Sequence, residues 1–230
     1  TPVTFQIKVN PEVILSVTNA NQSIVFGDEI DTVEVDFSSH ANLTYSVPAG
    51  MGLTYNTTTN KLYGTPNAVG TYKVVFTATS TQDPNCGQKV DTVTIVVSNK
   101  LLKITLDTTK KYDGTNFVSD YALNTEGWTV EGLVTGDYIT AGAVTSTADT
   151  VFTYTGNGTT GTAEVTTPFT TNSGISNYDV VYNFTQVIEK NNTPIVITSG
   201  DREFDYDGTV HSFPSYTLTY DGNPVARLVT

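Results

Sequence analysis

A single cysteine, Cys86, a single tryptophan, Trp128, and two histidines, His40 and His211, are all that 230 residues offer of these side chains. One thiol excludes an internal disulfide. Cys86 falls in the turn-like run Asp83-Pro84-Asn85-Cys86-Gly87, where it reads as an incidental loop residue or as a cross-link to a partner chain. Histidines in different units leave neither with the two or more that a histidine-based metal site needs. There is no phosphate-cradling G-x-x-x-x-G-K loop, and no spacing of acidic residues singles out a pair of the kind glycosidases use. The expectation is a chain that is not an enzyme.

Positive charge is also scarce. Only 11 Lys and Arg stand against 23 Asp and Glu, a net charge of -12 with a pI near 4.3. Binding a nucleic-acid backbone requires clustered cations, so nucleic acid is excluded as a partner, and anionic membranes are disfavoured. Nothing approaches the run of about 20 apolar residues that spans a bilayer as a helix. The opening Thr1-Pro2-Val3-Thr4 has neither the basic nor the apolar region of a signal peptide, so any secretion signal or anchor is expected outside this segment.

What is abundant is β-forming material. Roughly one residue in five is threonine, and there are 13 tyrosines and 10 phenylalanines. Such side chains suit pleated, half-buried surfaces, and no helical spacing of apolar residues persists beyond about two turns. Val3, Phe5, Ile7 and Val9 alternate with polar residues, as does Thr32–Phe37. Tyr72, Val74, Phe76 and Ala78 fall on one strand face, and Val93 to Val97 forms another strand. Glycine-marked turns, Pro48-Ala49-Gly50-Met51-Gly52-Leu53, Gly64-Thr65-Pro66 and Gly70-Thr71, separate short strands. About seven strands over residues 11–99 predict a sandwich, with residues 1–10 as the last strand of a preceding domain or a linker.

The same turns, together with Leu43-Thr44-Tyr45-Ser46-Val47 and Tyr72, resemble the immunoglobulin- or cadherin-like domain repeated in bacterial surface proteins. That family's pattern runs approximately L-P-x-G-L, then G-T-P and G-T-Y, and this chain inserts Met51-Gly52 before the leucine. Tyr112-Asp113-Gly114-Thr115 reappears as Tyr206-Asp207-Gly208-Thr209, each after a β-rich run, which marks a second unit over 100–192 and a third over 193–230. With Leu133-Val134-Thr135-Gly136-Asp137-Tyr138-Ile139 and Gly174-Ile175-Ser176-Asn177-Tyr178, the second unit resembles the Y-D-G repeat family of bacterial adhesins. The third unit looks like a related adhesin domain, less than half built, that either continues or is completed by another chain. The predicted fold is all-β: tandem immunoglobulin-like β-sandwich domains in an elongated array.

Candidate sites are few. Asp-Gly is a strong turn dipeptide, so Tyr112, Asp113, Gly114, Tyr206, Asp207 and Gly208 read as structural turns, each tyrosine able to bury its ring. Trp128, Tyr121, Tyr138 and Tyr154 would form a sugar platform if they lined one face. Asp28, Glu29, Asp31, Glu34 and Asp36 supply oxygen ligands suited to calcium, although the alternation places Glu34 and Asp36 on a solvated face. Lys103 and Asn183 occupy places where some surface-stalk domains form a lysine–asparagine cross-link. The resemblances imply an extracellular stalk or adhesion segment, on a cell surface or secreted, joined to further domains of its parent chain and directed at a host or matrix protein or a glycan. The alternative is a carbohydrate-binding module of a secreted glycan-degrading enzyme.

Overall fold

The computed structural model describes residues 3–4, 6, 9, 11–82, 87–111, 117–122, 126–146, 159–161, 163–189, 191–212 and 216–225. Apart from one 3-10 turn, Ile175–Asn177, the regular structure of these residues is strand throughout.

Two four-stranded sheets make up the first part. One has the order β1 (Leu15–Val17), β3 (Val33–Phe37), β6 (Lys61–Gly64), β5 (Leu53–Asn56). The other has the order β2 (Asn21–Val25), β8 (Gln88–Ser98), β7 (Gly70–Ser80), β4 (Ala41–Ser46). Period-two alternation turns Val74 and Phe76 of β7 and Val93, Ile95 and Val97 of β8 inward, where they meet Val33, Val35 and Leu62 of the facing sheet, while Ala78, on the same face of β7, is buried with Val13 and Ala41. Tyr55 and Phe76 join the layers, ring centroids 5.1 Å apart. Each buried Val, Leu, Ile or Phe among these contributes about 1.5–3 kcal/mol.

The inserted Met51 is buried, and the turn it belongs to meets the Gly64-Thr65-Pro66 turn directly. Leu53 pairs with Gly64, and a Cβ on Gly64 would lie 2.3 Å from the Gly52 carbonyl oxygen. Both turns therefore need glycine for close backbone approach.

The second part stacks the sheet β11 (Trp128–Glu131), β9 (Lys100–Lys111), β15 (Tyr178–Glu189), β13 (Thr159–Gly161) on the sheet β10 (Val118–Asp120), β12 (Ile139–Ser146), β14 (Ala163–Thr171). Leu102, Ile104 and Leu106 of β9 are fully buried, against Val144 and Phe169. The first strand of the second sheet pair and its last strand, β9 and β15, run parallel over their whole length, as β2 and β8 do over five residues in the first pair. A third, smaller sheet, β16 (Ile195–Ser199), β17 (Tyr216–Tyr220), β18 (Asn223–Pro224), buries Leu218 but leaves Ile195, Val196 and Ile197 exposed.

The alternation at Val3 to Val9 falls partly on Phe5 and Ile7, outside the described residues; Val3 and Val9 are more than four-fifths exposed. Cys86 and Tyr112-Asp113-Gly114 also lie outside them, as does Tyr154.

Candidate functional site

Three places gather the residues that the sequence singles out. The most highly connected is the seam between the two sheet pairs. Only Asn99 separates β8 from β9, and its side-chain amide donates to the Ser176 carbonyl at 2.7 Å. Buried Asn177 serves both sides: its Oδ1 accepts from the Val69 N–H at 3.1 Å and its Nδ2 donates to the Ser173 carbonyl at 2.9 Å. Beside it, Tyr178 packs edge-to-face on Phe26 with centroids 5.5 Å apart.

The Tyr178 hydroxyl accepts from the Val134 N–H at 3.2 Å and donates to the Asp137 carboxylate, which also accepts from the Ser173 hydroxyl. Burial first, and then the bond to Asp137, push the Tyr178 phenol above its ordinary value. Gly27, at φ 93, lies so close to Val134 that a Cβ there would come within 2.5 Å of the valine Cγ2. The two motif segments of the second unit, around Asp137 and around Asn177, thus meet at this seam. Sequence reading singles them out separately and does not find their contact; their order in the chain was the available signal.

The second place is aromatic. Tyr121 and Trp128 come together, centroids 5.4 Å apart and nearly perpendicular, and both contact Phe169, which reaches on to Tyr182. Half-buried Trp128 donates its Nε1–H to Ser119 at 3.1 Å. Tyr138 stands outside this pile, 60% exposed before β12, its backbone N–H held by Asn172 Oδ1 at 2.7 Å. An additional cleft between the edge strands β4 and β5 is lined by Tyr45 and Tyr55, centroids 4.6 Å apart, with Asn42, Thr57 and Asn60. Tyr55 donates to Asn60 Oδ1 at 3.3 Å, and burial, then the neighbouring Tyr45, raise its phenol above the ordinary value.

The third place is the Tyr206-Asp207-Gly208 turn. Asp207 Oδ1 accepts from the Thr209 hydroxyl at 2.7 Å, the Thr209 N–H at 2.9 Å and His211 Nε2 at 2.9 Å. The Thr209 bonds, hydroxyl first, hold this carboxyl below its ordinary value. Gly208 has φ 76, and Phe204 stacks on His211 at 4.5 Å. The Tyr206 ring is 98% exposed rather than buried, because the three short strands beside it present no facing layer to cover it.

Asp28, Asp31 and Asp36 are exposed, and Glu34 pairs with Lys61 at 2.9 Å. Asp31 is held through its backbone, which exchanges two bonds with the Gln22 side chain. Among the described residues, no three of His, Cys, Asp and Glu gather as a metal site. Lys103 stands opposite Val181 and Asn183 opposite Thr105, on adjacent strands, but the lysine Nζ lies 3.7 Å from Glu131 in a solvated ion pair. Among the described residues, no helix is long and apolar enough to cross a membrane.

No family model matches the chain, and no curated protein does. Among solved structures, human protocadherin-24 EC1-2 is similar over 79% of this chain and 100% of that one, at 8% identity and a TM-score of 0.28. A likeness of that degree assigns neither family nor ligand.

Proposed function

We propose that this chain is a non-catalytic, extracellular stalk or adhesion segment of a large bacterial surface protein. In this reading, immunoglobulin-like sandwiches follow one another in an elongated array: residues 11–99, then a Y-D-G-type domain over 100–192, then the start of a related domain over 193–230. Residues 1–10 are the last strand of a preceding domain or a linker. The observation that carries the reading is the seam, where one linking residue and the Asn177, Tyr178 and Asn99 contacts fix successive sheet pairs against each other. A stalk needs such joints, because a free linker would let the units fold back.

The test places the whole chain between a surface anchor and an epitope and measures epitope height. Strands of 11 and 12 residues make each unit about 40 Å long, so an offset of about 80 Å or more supports the stalk. A height no greater than that of one compact domain overturns it.

The cleft between β4 and β5 favours one second reading, a carbohydrate-binding module, since aromatic rings beside amide side chains suit a neutral sugar. A glycan array separates the two. Binding lost in Tyr45→Ala supports the module, whereas no binding to any glycan removes it and leaves the stalk standing.

A further inference from the structure

We propose that the second sheet pair resists mechanical force, with β9 and β15 acting as a shear clamp against tension along the chain. The load would come from the stalk role, and to that extent the inference rests on that reading; the ladder geometry does not.

The direction of pulling decides how the ladder is loaded. Tyr178 stands opposite Lys100, and the register continues without a break to Glu189 opposite Lys111. Tension from the N-terminal side enters β9 at Lys100. Tension from the C-terminal side leaves β15 at Glu189. Because the strands are parallel, these points are at opposite ends of the ladder, and pulling slides one strand along the other. The evenly spaced, slanted bonds of a parallel ladder are then strained together rather than in turn. Each is individually weak in water, so whether they are loaded together or singly decides the resistance.

The neighbours of β9 oppose sliding as well. On its other edge β11 pairs with it, Trp128 opposite Leu106 through Glu131 opposite Lys103. Beneath it, Leu102, Ile104 and Leu106 are fully buried and would have to leave their places in the core together. At the seam end of β15, Tyr178 is tied to Asp137 and Val134, so the start of the ladder is braced where tension arrives. The first sheet pair has the same arrangement in a shorter form, Asn21 opposite Thr94 to Val25 opposite Ser98, with the three-residue β1 preceding it. Under tension the first pair is therefore expected to yield before the second.

Single-molecule pulling on the full chain tests this by loading the same bonds in two directions. In a Cys86→Ser background, handles at Lys100→Cys and Asn192→Cys shear the ladder. Handles at Lys111→Cys and Asn192→Cys grip one end of it and peel it pair by pair. Should a handle variant fail to fold, Asp179→Cys with Lys111→Cys shears the ladder from its other two corners. The expected result is a rupture force about twofold or more higher in shear than in peeling, since many bonds share the load. Equal forces, or a lower force in shear, overturn the clamp. They would leave the stalk reading to its own test of epitope height.

Discussion

The side-chain oxygen of Asn177 accepts the backbone N–H of Val69 at 3.1 Å, 108 residues away along the chain. The same carboxamide donates to Ser173, so one buried side chain belongs to both sheet pairs. Asn177→Ala leaves the Val69 donor and the Ser173 acceptor without their partner. The expected cost is about 1–3 kcal/mol, read by urea denaturation of the intact chain. Replacement of a surface residue such as Thr129 should change the midpoint far less.

Tyr178 gives the seam a pH dependence. Its phenol is raised by burial and by the Asp137 bond, so the folded state holds the proton more tightly than the unfolded chain. The stabilisation is complete below the ordinary tyrosine value of 10.0 and is lost as pH rises through the higher folded value. Tyr55 and Tyr182, also raised by burial, act in the same direction. Stability measured from pH 9 upward should fall with a slope that flattens in Tyr178→Phe, about one titrating proton less steeply. An unchanged slope would mean that the phenol titrates alike in both states.

Gly27 and Val134 should be energetically coupled. Gly27→Ala requires φ 93 of an L-residue and a Cβ within 2.5 Å of the valine, so a loss of about 1–3 kcal/mol is expected. Val134→Ala removes the obstructing methyls but not the backbone strain. A double-mutant cycle should therefore recover part of the loss, and strict additivity would show that the close approach carries no cost.

Calcium should do little. Asp28, Asp31 and Asp36 face solvent without converging, so the melting temperature is expected to stay constant when calcium is added and when a chelator follows. A rise with calcium that the chelator reverses would locate ligands elsewhere in the chain.

The strands of the first sheet pair were legible because one buried face leaves a period-two signature: Val74, Phe76 and Ala78 lie inward as their spacing predicts. Turns were legible for the same local reason, glycine being required where Gly64 approaches the Gly52 carbonyl. What could not be read was pairing across distance. Nothing local in Leu102 or Val180 says that β9 and β15 run side by side and parallel, since partner choice depends on which strands the folded layers bring together. The aromatic residues show the same limit: spacing could not tell that Tyr121 meets Trp128 while Tyr138 stands apart. Asp137 and Asn177 were visible as motif residues, but their shared place at the seam emerges only when β15 returns beside β9.

Everything turns on whether the sheet pairs follow one another in line. Small-angle scattering of the intact chain measures this directly. A single compact body of 230 residues would have a radius of gyration of about 17 Å. Units in series, braced at the seam, should give about 25 Å or more together with the cross-section of a single sandwich. A value near the compact limit, with a globular distance distribution, would contradict the serial arrangement and with it the stalk.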